Sequence, residues 1–95
     1  MFPTATTATL DTKHDFVSIS VDKVGAIYFD KQPVGPNELV LRLSATRRTN
    51  ENVRVFISGD KDVRYGAMVH VLDLVRSTSI QKVAFEIRDS NSSQP

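Results

Sequence analysis

The chain contains no cysteine and no tryptophan, has few aromatic residues, and has no long apolar run. Without cysteine, it can form neither disulfides nor thiolate metal sites. A helix that spans a bilayer needs about 20 consecutive apolar residues, and no stretch offers them. The 12 Lys and Arg residues nearly balance the 11 Asp and Glu residues, giving a net charge of +1. Nucleic acid is therefore not an expected partner, because phosphate-backbone binding usually requires a marked basic excess.

The hydrophobic pattern divides the 95 residues into three parts. Residues 1–15 are rich in threonine and lack a hydrophobic period, which predicts a flexible linker. Residues 89–95 (DSNSSQP) are polar throughout and predict a disordered tail. Residues 16–88 therefore carry the single folded domain, whose size fits one small core.

Alternating apolar and polar residues predict four strands. The first covers residues 16–22, and a turn at 22–25 leads back into a second strand at 26–30. A third strand is predicted at 53–58, between the two helices, where it should lie inside the sheet. The fourth covers 82–88, with Val83, Phe85 and Ile87 alternating against polar or small neighbours.

Two segments have helical spacing. Pro36 suits the first turn of a helix that ends near Arg48 or Thr49 and buries Leu39 and Leu43. A second helix is predicted over 65–77, and Asp60 or Asp62 is expected to cap its start. Residues 77–79 are expected to form the turn that ends it. Its predicted apolar face consists of Tyr65, Met68, Val69, Leu72 and Val75.

The element order ββαβαβ predicts an α+β fold in two layers. Right-handed crossovers place both helices on one face of a mixed four-stranded sheet. A core of this size, without a disulfide or metal to reinforce it, leaves a small margin of stability. Self-association through the sheet edges is therefore expected.

No set of side chains predicts catalysis. His70 and Asp73 are three residues apart on the second helix and could orient an imidazole, but a solvated helix face explains them more simply. Asp60 and Asp62 flank a lysine, which makes a poor cation site. The sequence predicts neither an enzyme nor a bound metal or cofactor.

Four arginines could form an anion-binding patch for peptidoglycan or acidic partner segments: Arg47, Arg48, Arg54 and Arg64. The alternative is that they are scattered surface residues, which is the commoner case. The last strand offers a second candidate surface, since an edge strand can accept a further strand from a partner.

The run from Gly59 to Ile87 resembles the C-terminal signature of the ExbD/TolR family. Its Asp-Lys-x-Val-x-Tyr loop is matched by Asp60, Lys61, Val63 and Tyr65. The following amphipathic helix and Lys-Val strand are matched by Val69, Val71, Leu72, Asp73, Leu74, Arg76, Ile80, Lys82 and Val83. Residues 17–39 resemble the family's opening hairpin and first helix, so the resemblance covers nearly the whole chain. Thr78-Ser79 depart from the usual Ala-Gly, and Ser58-Gly59 depart from the usual Arg-Ala.

The resemblance implies a periplasmic domain of an ExbD-like subunit of a proton-motive-force-driven inner-membrane motor that energises TonB-dependent outer-membrane transport. A single N-terminal transmembrane helix would precede this sequence and carry the proton-transfer residue. The implied partners are a second copy in a homodimer, an ExbB/TolQ-type channel protein and a TonB- or TolA-type transducer. A TolR-like subunit of the Tol-Pal envelope-integrity system and a peptidoglycan-binding domain are the alternatives.

Within this framework, Val83, Phe85 and Ile87 are expected to form the dimer edge or the surface that captures a transducer segment. Asp60, Lys61, Val63 and Tyr65 are expected to form a motif loop beside the second helix.

Overall fold

A computed structural model describes residues 16–88. The predicted linker at 1–15 and tail at 89–95 lie outside the described residues. The elements in chain order are β1 (Phe16–Val21), β2 (Ile27–Phe29), β3 (Gln32–Val34), α1 (Pro36–Thr49), β4 (Arg54–Asp60), α2 (Tyr65–Arg76) and β5 (Lys82–Arg88). Neither described helix is long and apolar enough to cross a membrane.

The strands form one mixed sheet in the order β3-β2-β1-β4-β5. The pairs β1–β2 and β2–β3 are antiparallel, whereas β1–β4 and β4–β5 are parallel. Each parallel pair is joined through a helix, and the two helices contact each other. This arrangement confirms the predicted α+β fold with a mixed sheet, and it places β4 inside the sheet as expected.

Within residues 16–88 the sheet has five strands, so the predicted count of four is wrong. The additional strand, β3, follows β2 through a two-residue turn in which Asp30 and Lys31 have φ values of 52° and 76°. Hairpin turns with two positive φ angles usually contain glycine, and this turn has none. Pro33 further obscures the strand in the sequence, because proline is tolerated in a sheet only at an edge such as this one.

The turn between β1 and β2 forms where the sequence predicts it. Oδ1 of Asp22 accepts hydrogen bonds from the backbone N–H groups of Val24 (3.0 Å) and Ala26 (2.9 Å). Gly25 adopts a φ of 89°, a conformation that glycine reaches without strain. The carboxylate therefore closes the turn and sets the register of the first hairpin.

The core lies between the helices and one face of the sheet. Its buried side chains are Ile19, Val21, Ile27, Leu39, Leu43, Val53, Val55, Ile57, Met68, Val71, Val75 and Ile80. They come from alternate strand positions and from one stripe on each helix, as expected for a two-layer domain.

The helix α1 has the predicted bounds and buries Leu39 and Leu43 completely. On its flank, the Arg42 guanidinium lies 5.4 Å from the centre of the Phe29 ring and donates a 2.8 Å hydrogen bond to Gln32. It also forms a 2.7 Å ion pair with Glu38. These contacts connect α1 to the short strands β2 and β3, which have little backbone pairing of their own.

The helix α2 is rotated relative to the predicted orientation. Val71 is 1% exposed and packs in the core, whereas Tyr65, which was expected on the buried face, is 85% exposed. The apolar arc of this helix is wider than its contact with the sheet, so the hydrophobic period alone does not identify the buried side. The predicted cap is also wrong, because the N-cap is Arg64 and no side chain caps the helix.

The turn after α2 contains serine in a left-handed conformation. Ser79 has a φ of 70°, and its N–H donates a 3.0 Å hydrogen bond to the carbonyl oxygen of Arg76. Glycine is the residue that usually occupies such a position at the end of a helix. Residues 77–79 therefore form the predicted helix-ending turn and retain a glycine-like geometry without glycine.

We expect Ser79→Gly to raise the free energy of unfolding by about 0.5–1 kcal/mol, because relief of the left-handed strain exceeds the added backbone entropy of glycine. Ser79→Ala is the matched control, since it retains the Cβ atom and should change stability little. Urea unfolding followed by circular dichroism measures both. A glycine variant no more stable than the alanine variant would contradict this explanation.

Candidate partner-binding groove

The two edges of the sheet differ in their capacity to pair with another strand. At one edge, β3 has three residues and contains Pro33, which has no N–H to donate. At the other edge, β5 has seven residues, contains no proline and pairs with β4 along its whole length. Within residues 16–88, β5 is therefore the edge at which a further strand can add by backbone hydrogen bonds.

A groove of about 410 Å³ runs between β5 and α2. Its lining is almost entirely apolar, with one lysine at the rim. The lining residues are Ile57, Lys61, Val63, Tyr65, Met68, Val69, Leu72, Phe85 and Ile87. The groove has the apolar character and concave shape of a surface that receives side chains of a partner.

The groove exists because the helices cover only the interior of the sheet. The cross-strand register places Ile19, Ile57 and Phe85 in one row on the helix-facing side. Ile19 is 0% exposed and Ile57 1%, but Phe85 at the edge is 54% exposed. The neighbouring Ile87 is also 54% exposed. Large exposed apolar side chains beside a strand edge that no other described residue covers are characteristic of interaction sites.

The predicted motif loop lies at one end of this groove. Oδ1 of Asp60 accepts a 2.9 Å hydrogen bond from the N–H of Asp62, and the Asp60 carbonyl oxygen accepts one of 2.9 Å from Val63. This tight turn orients Lys61 and Val63 toward the groove, and Tyr65 follows at the first residue of α2.

Close packing beneath the loop positions α2. A Cβ atom at Gly59 would lie 2.7 Å from Sδ of Met68, so the absence of a side chain lets the methionine rest on β4. Met68 is in turn both buried and part of the groove lining. The loop and β5, which the sequence predicted as separate candidates, thus form one surface.

Val69, Leu72 and Met68 were not predicted as site residues, because their helical spacing assigned all three to the core. A signal was nevertheless present in the width of the apolar arc on α2. One part of that arc, including Val71 and Val75, is buried against the sheet, and the part nearer Tyr65 lines the groove.

The four arginines predicted as a candidate anion patch do not come together. Arg47 and Arg48 lie in the last turn of α1, and Arg54 begins β4. Arg64 follows the other end of β4, and a strand of seven residues is roughly 20 Å long. An anion-binding role for these arginines stays a prediction.

A different basic surface lies on the sheet face opposite the helices. There the rings of Phe16 and Phe56 are 6.0 Å apart, and a cavity of about 400 Å³ includes both rings with Arg54, Lys82 and Ala84. The sequence placed Phe16 on this face but did not predict its aromatic partner, because the pairing depends on the parallel register of β1 and β4.

The other polar candidates do not join the groove. His70 and Asp73 are exposed on α2, and neither lines the groove. Among residues 16–88, no group of three or more His, Cys, Asp or Glu side chains is arranged to hold a metal ion.

Comparison with known proteins identifies the family to which the sequence is similar. The family model for the biopolymer transport protein ExbD/TolR matches residues 1–90. The chain belongs to the ExbD/TolR family. A protein of Synechocystis sp. that carries the name biopolymer transport protein ExbD is 27% identical over 82 residues, which cover 86% of this chain. The chain spans 30% of the length of that relative.

Membership of the ExbD/TolR family confirms the resemblance found in the sequence and associates the domain with biopolymer transport. The matched range includes β5, α2 and the motif loop, so the groove belongs to the part of the chain that the family shares.

The division of α2 into a core side and a groove side predicts unequal effects of two valine truncations. Val71→Ala should lower the free energy of unfolding by about 2 kcal/mol, because it removes buried methyl groups and leaves a cavity. Val69→Ala, at a half-buried groove position, should cost less than about 1 kcal/mol. Denaturant unfolding of both variants tests this, and equal losses would refute the assigned rotation of α2.

Proposed function

We propose that this chain is the periplasmic domain of an ExbD-like subunit in a proton-motive-force-driven inner-membrane motor that energises TonB-dependent outer-membrane transport. Family membership supports the general role in biopolymer transport. The observation that carries the specific proposal is the β5 edge, which no strand within residues 16–88 pairs, beside an apolar groove; this surface is suited to capture an extended segment of another protein.

Strand addition would give this surface both affinity and specificity. A partner segment paired with β5 would gain backbone hydrogen bonds along as many as seven residues. Its alternate side chains would enter the groove above Phe85 and Ile87, while the others would lie on the opposite face near Glu86. An extended segment with apolar residues at every second position therefore fits this site best.

The role in the motor would be mechanical coupling rather than chemistry. A homodimer of subunits, anchored in the inner membrane by a helix preceding this sequence, would work with an ExbB/TolQ-type channel protein. The predicted linker at residues 1–15 would tether the domain near the membrane. The β5 edge would then form the dimer or hold a segment of a TonB- or TolA-type transducer.

Two alternatives follow from the same family and surface. A TolR-like subunit of the Tol-Pal envelope-integrity system would use the same edge with a TolA-type transducer. Peptidoglycan binding is favoured by a separate observation, the Phe16–Phe56 pair flanked by Arg54 and Lys82, since aromatic rings and cations together suit an anionic saccharide-peptide surface.

Phe85→Glu should weaken dimerisation or transducer binding by at least about tenfold, because it places a charge at the centre of an apolar contact surface. Sedimentation equilibrium of the 95-residue chain, alone and with a periplasmic TonB- or TolA-type fragment, measures both associations. The control is Leu41→Glu, which changes an apolar residue that is 70% exposed on α1. A folded Phe85→Glu variant with unchanged mass and unchanged transducer binding would reject the proposal.

The choice of transducer distinguishes the two motor branches. Selective binding of the TonB-type fragment supports the ExbD-like assignment, whereas selective binding of the TolA-type fragment supports the TolR-like one. Co-sedimentation with purified sacculi tests the third function. Salt-sensitive retention that is lost in Arg54→Gln would favour peptidoglycan binding.

A further inference from the structure

We propose that the end of the domain at which β1, β4 and β5 begin binds the surface of an anionic lipid bilayer. The ligands are lipid phosphates, and the site lies apart from the groove between β5 and α2. This inference rests on the proposed function only for the presence of a membrane beside the domain.

The topology collects five cations at this end of the domain. The strands β1, β4 and β5 are parallel, so they all start at the same end of the sheet. Each helix runs back toward that end before the next strand begins, which brings the last turns of α1 and α2 there. We call this surface the basic end, and its cations are Arg47, Arg48, Arg54, Arg76 and Lys82.

The basic end is not neutralised by nearby carboxylates. Two described acidic residues lie close to it in the fold, Glu51 in the turn after α1 and Asp73 in the last turn of α2. Within residues 16–88, none of the five cations forms an ion pair. The opposite end of the domain has four cations and four carboxylates: Asp22, Lys23, Glu38, Asp60, Lys61, Asp62, Arg64 and Arg88. The excess positive charge of the described domain is therefore concentrated at the basic end.

Two of the cations at the basic end are paired with each other. Arg54 and Lys82 are directly opposite at the start of β4 and β5, and both side chains are exposed. Like charges in this arrangement destabilise a sheet. The cations that end α1 and α2 have a local explanation, because cations stabilise the negative end of a helix dipole. Arg54 and Lys82 have no such local role, so an anion held outside the domain is the partner that would offset their repulsion.

An exposed aromatic side chain adjoins this charged pair. Phe16 is opposite Arg54 in the register of β1 and β4, and it is 48% exposed. Its ring is tilted against the ring of Phe56 on the sheet face opposite the helices. Aromatic rings beside cations are typical of surfaces that rest on membranes, where the rings enter the boundary between headgroups and acyl chains and the cations contact phosphates.

The spread of the cations favours a planar ligand over a single anionic polymer chain. Arg54 and Lys82 belong to the sheet, whereas the other three cations belong to the helices packed on it. The two layers lie roughly 10 Å apart, about the width of a helix. At an ionic strength of about 0.1 M, charges act together over about the same distance. The basic end thus presents one positive field across both layers, which a flat anionic surface contacts as a whole.

The chain also enters the domain at the basic end. Residues 1–15 precede Phe16 in the sequence, and a segment of that length extends over at most roughly 50 Å. In the proposed motor a membrane helix precedes this segment, so the segment would keep the basic end close to the bilayer. A short tether gives an effective concentration in the millimolar range, so a weak attraction to lipid is sufficient for contact.

Contact at the basic end would orient the partner-binding groove. Asp60 and Tyr65 lie beyond the far end of β4, whose seven residues extend over roughly 20 Å. The strands would stand upright on the bilayer, and the motif loop would point away from it. The β5 edge would then be open to a partner that approaches from the side.

Vesicle binding by the 95-residue chain tests the site. The probe is a vesicle of equal parts phosphatidylglycerol and phosphatidylethanolamine, and phosphatidylcholine vesicles are the uncharged comparison. Each cation near an anionic bilayer strengthens binding about fivefold, so the double variant Arg54→Gln, Lys82→Gln should bind at least about tenfold more weakly in co-sedimentation. This variant should stay folded, because it removes a repulsive pair of exposed side chains.

The matched control removes the same charge from the opposite end. The double variant Lys23→Gln, Arg64→Gln should change vesicle binding by less than about twofold, since these side chains would face away from the bilayer. Equal losses in the two double variants would overturn the assignment to the basic end. A wild-type chain that binds anionic and uncharged vesicles equally, or binds neither, would overturn lipid binding.

Fluorescence locates the bilayer at the aromatic side chain. The chain contains no tryptophan, so Phe16→Trp introduces a single fluorophore. Anionic vesicles should shift its emission to shorter wavelength and protect it from quenching by acrylamide. Leu41→Trp, at an exposed position on α1, is the control and should show neither change. Vesicle binding that leaves the emission of Phe16→Trp unchanged would overturn the proposed contact.

Two competing ligands separate lipid from other anions. Inorganic phosphate should weaken vesicle binding no more than sodium chloride of the same ionic strength does. Displacement by phosphate alone would assign the cations to a soluble anion and overturn the inference. Retention on purified sacculi without binding to vesicles would assign the surface to peptidoglycan and also overturn it.

Titration of the same samples with a TonB-type transducer fragment separates this inference from the proposed function. Vesicle binding with the expected charge response, in a chain that binds no transducer and does not dimerise, would support the inference while rejecting the proposed function. Transducer binding by a chain that ignores anionic vesicles would overturn the inference and leave the proposed function supported.

Discussion

The structure depends on how much of the sheet two helices can cover, because within the described residues they must shield one face of five strands. One row of side chains across the sheet shows the consequence. It is fully buried at Ile19 and Ile57, under the helices, and half exposed at Phe85 on the edge. A helix is about 10 Å wide and neighbouring strands are about 4.8 Å apart, so two packed helices cover roughly four strands. The β5 edge and its groove follow from this geometry.

The limited cover by the helices also explains why the exposed region beside β5 suits binding. Gly59 lets Met68 approach β4, which brings the start of α2 down onto the sheet and leaves its Tyr65 side facing outward. The apolar arc of α2 therefore serves two surfaces, the core and the groove. At the other edge, Pro33 removes a backbone donor from the short strand β3, and Arg42 connects that strand to α1 through Gln32. Within the described residues the sheet is therefore asymmetric, because only its β5 edge is suited to pair with a further strand.

Most of the fold was predictable from residue patterns. Alternation identified β1, β4 and β5, and Pro36 with Leu39 and Leu43 identified α1. The third strand was missed because its turn uses Asp30 and Lys31 where glycine is usual. The candidate site was only partly predictable. Its β5 residues and motif loop were predicted as surface candidates, but their common groove depends on the rotation of α2, which a periodic pattern does not specify.

By itself, the sequence determined the family resemblance and every element except β3, because these depend on residue types and their local spacing. The tertiary structure alone decided which apolar residues are left for partners. Val71 and Val69 are chemically identical and two positions apart, yet one is buried in the core and the other lines the groove. Their difference arises from the rotation of α2 about its axis. That rotation is set by tertiary contacts, between Met68 and Gly59 and between the two helices.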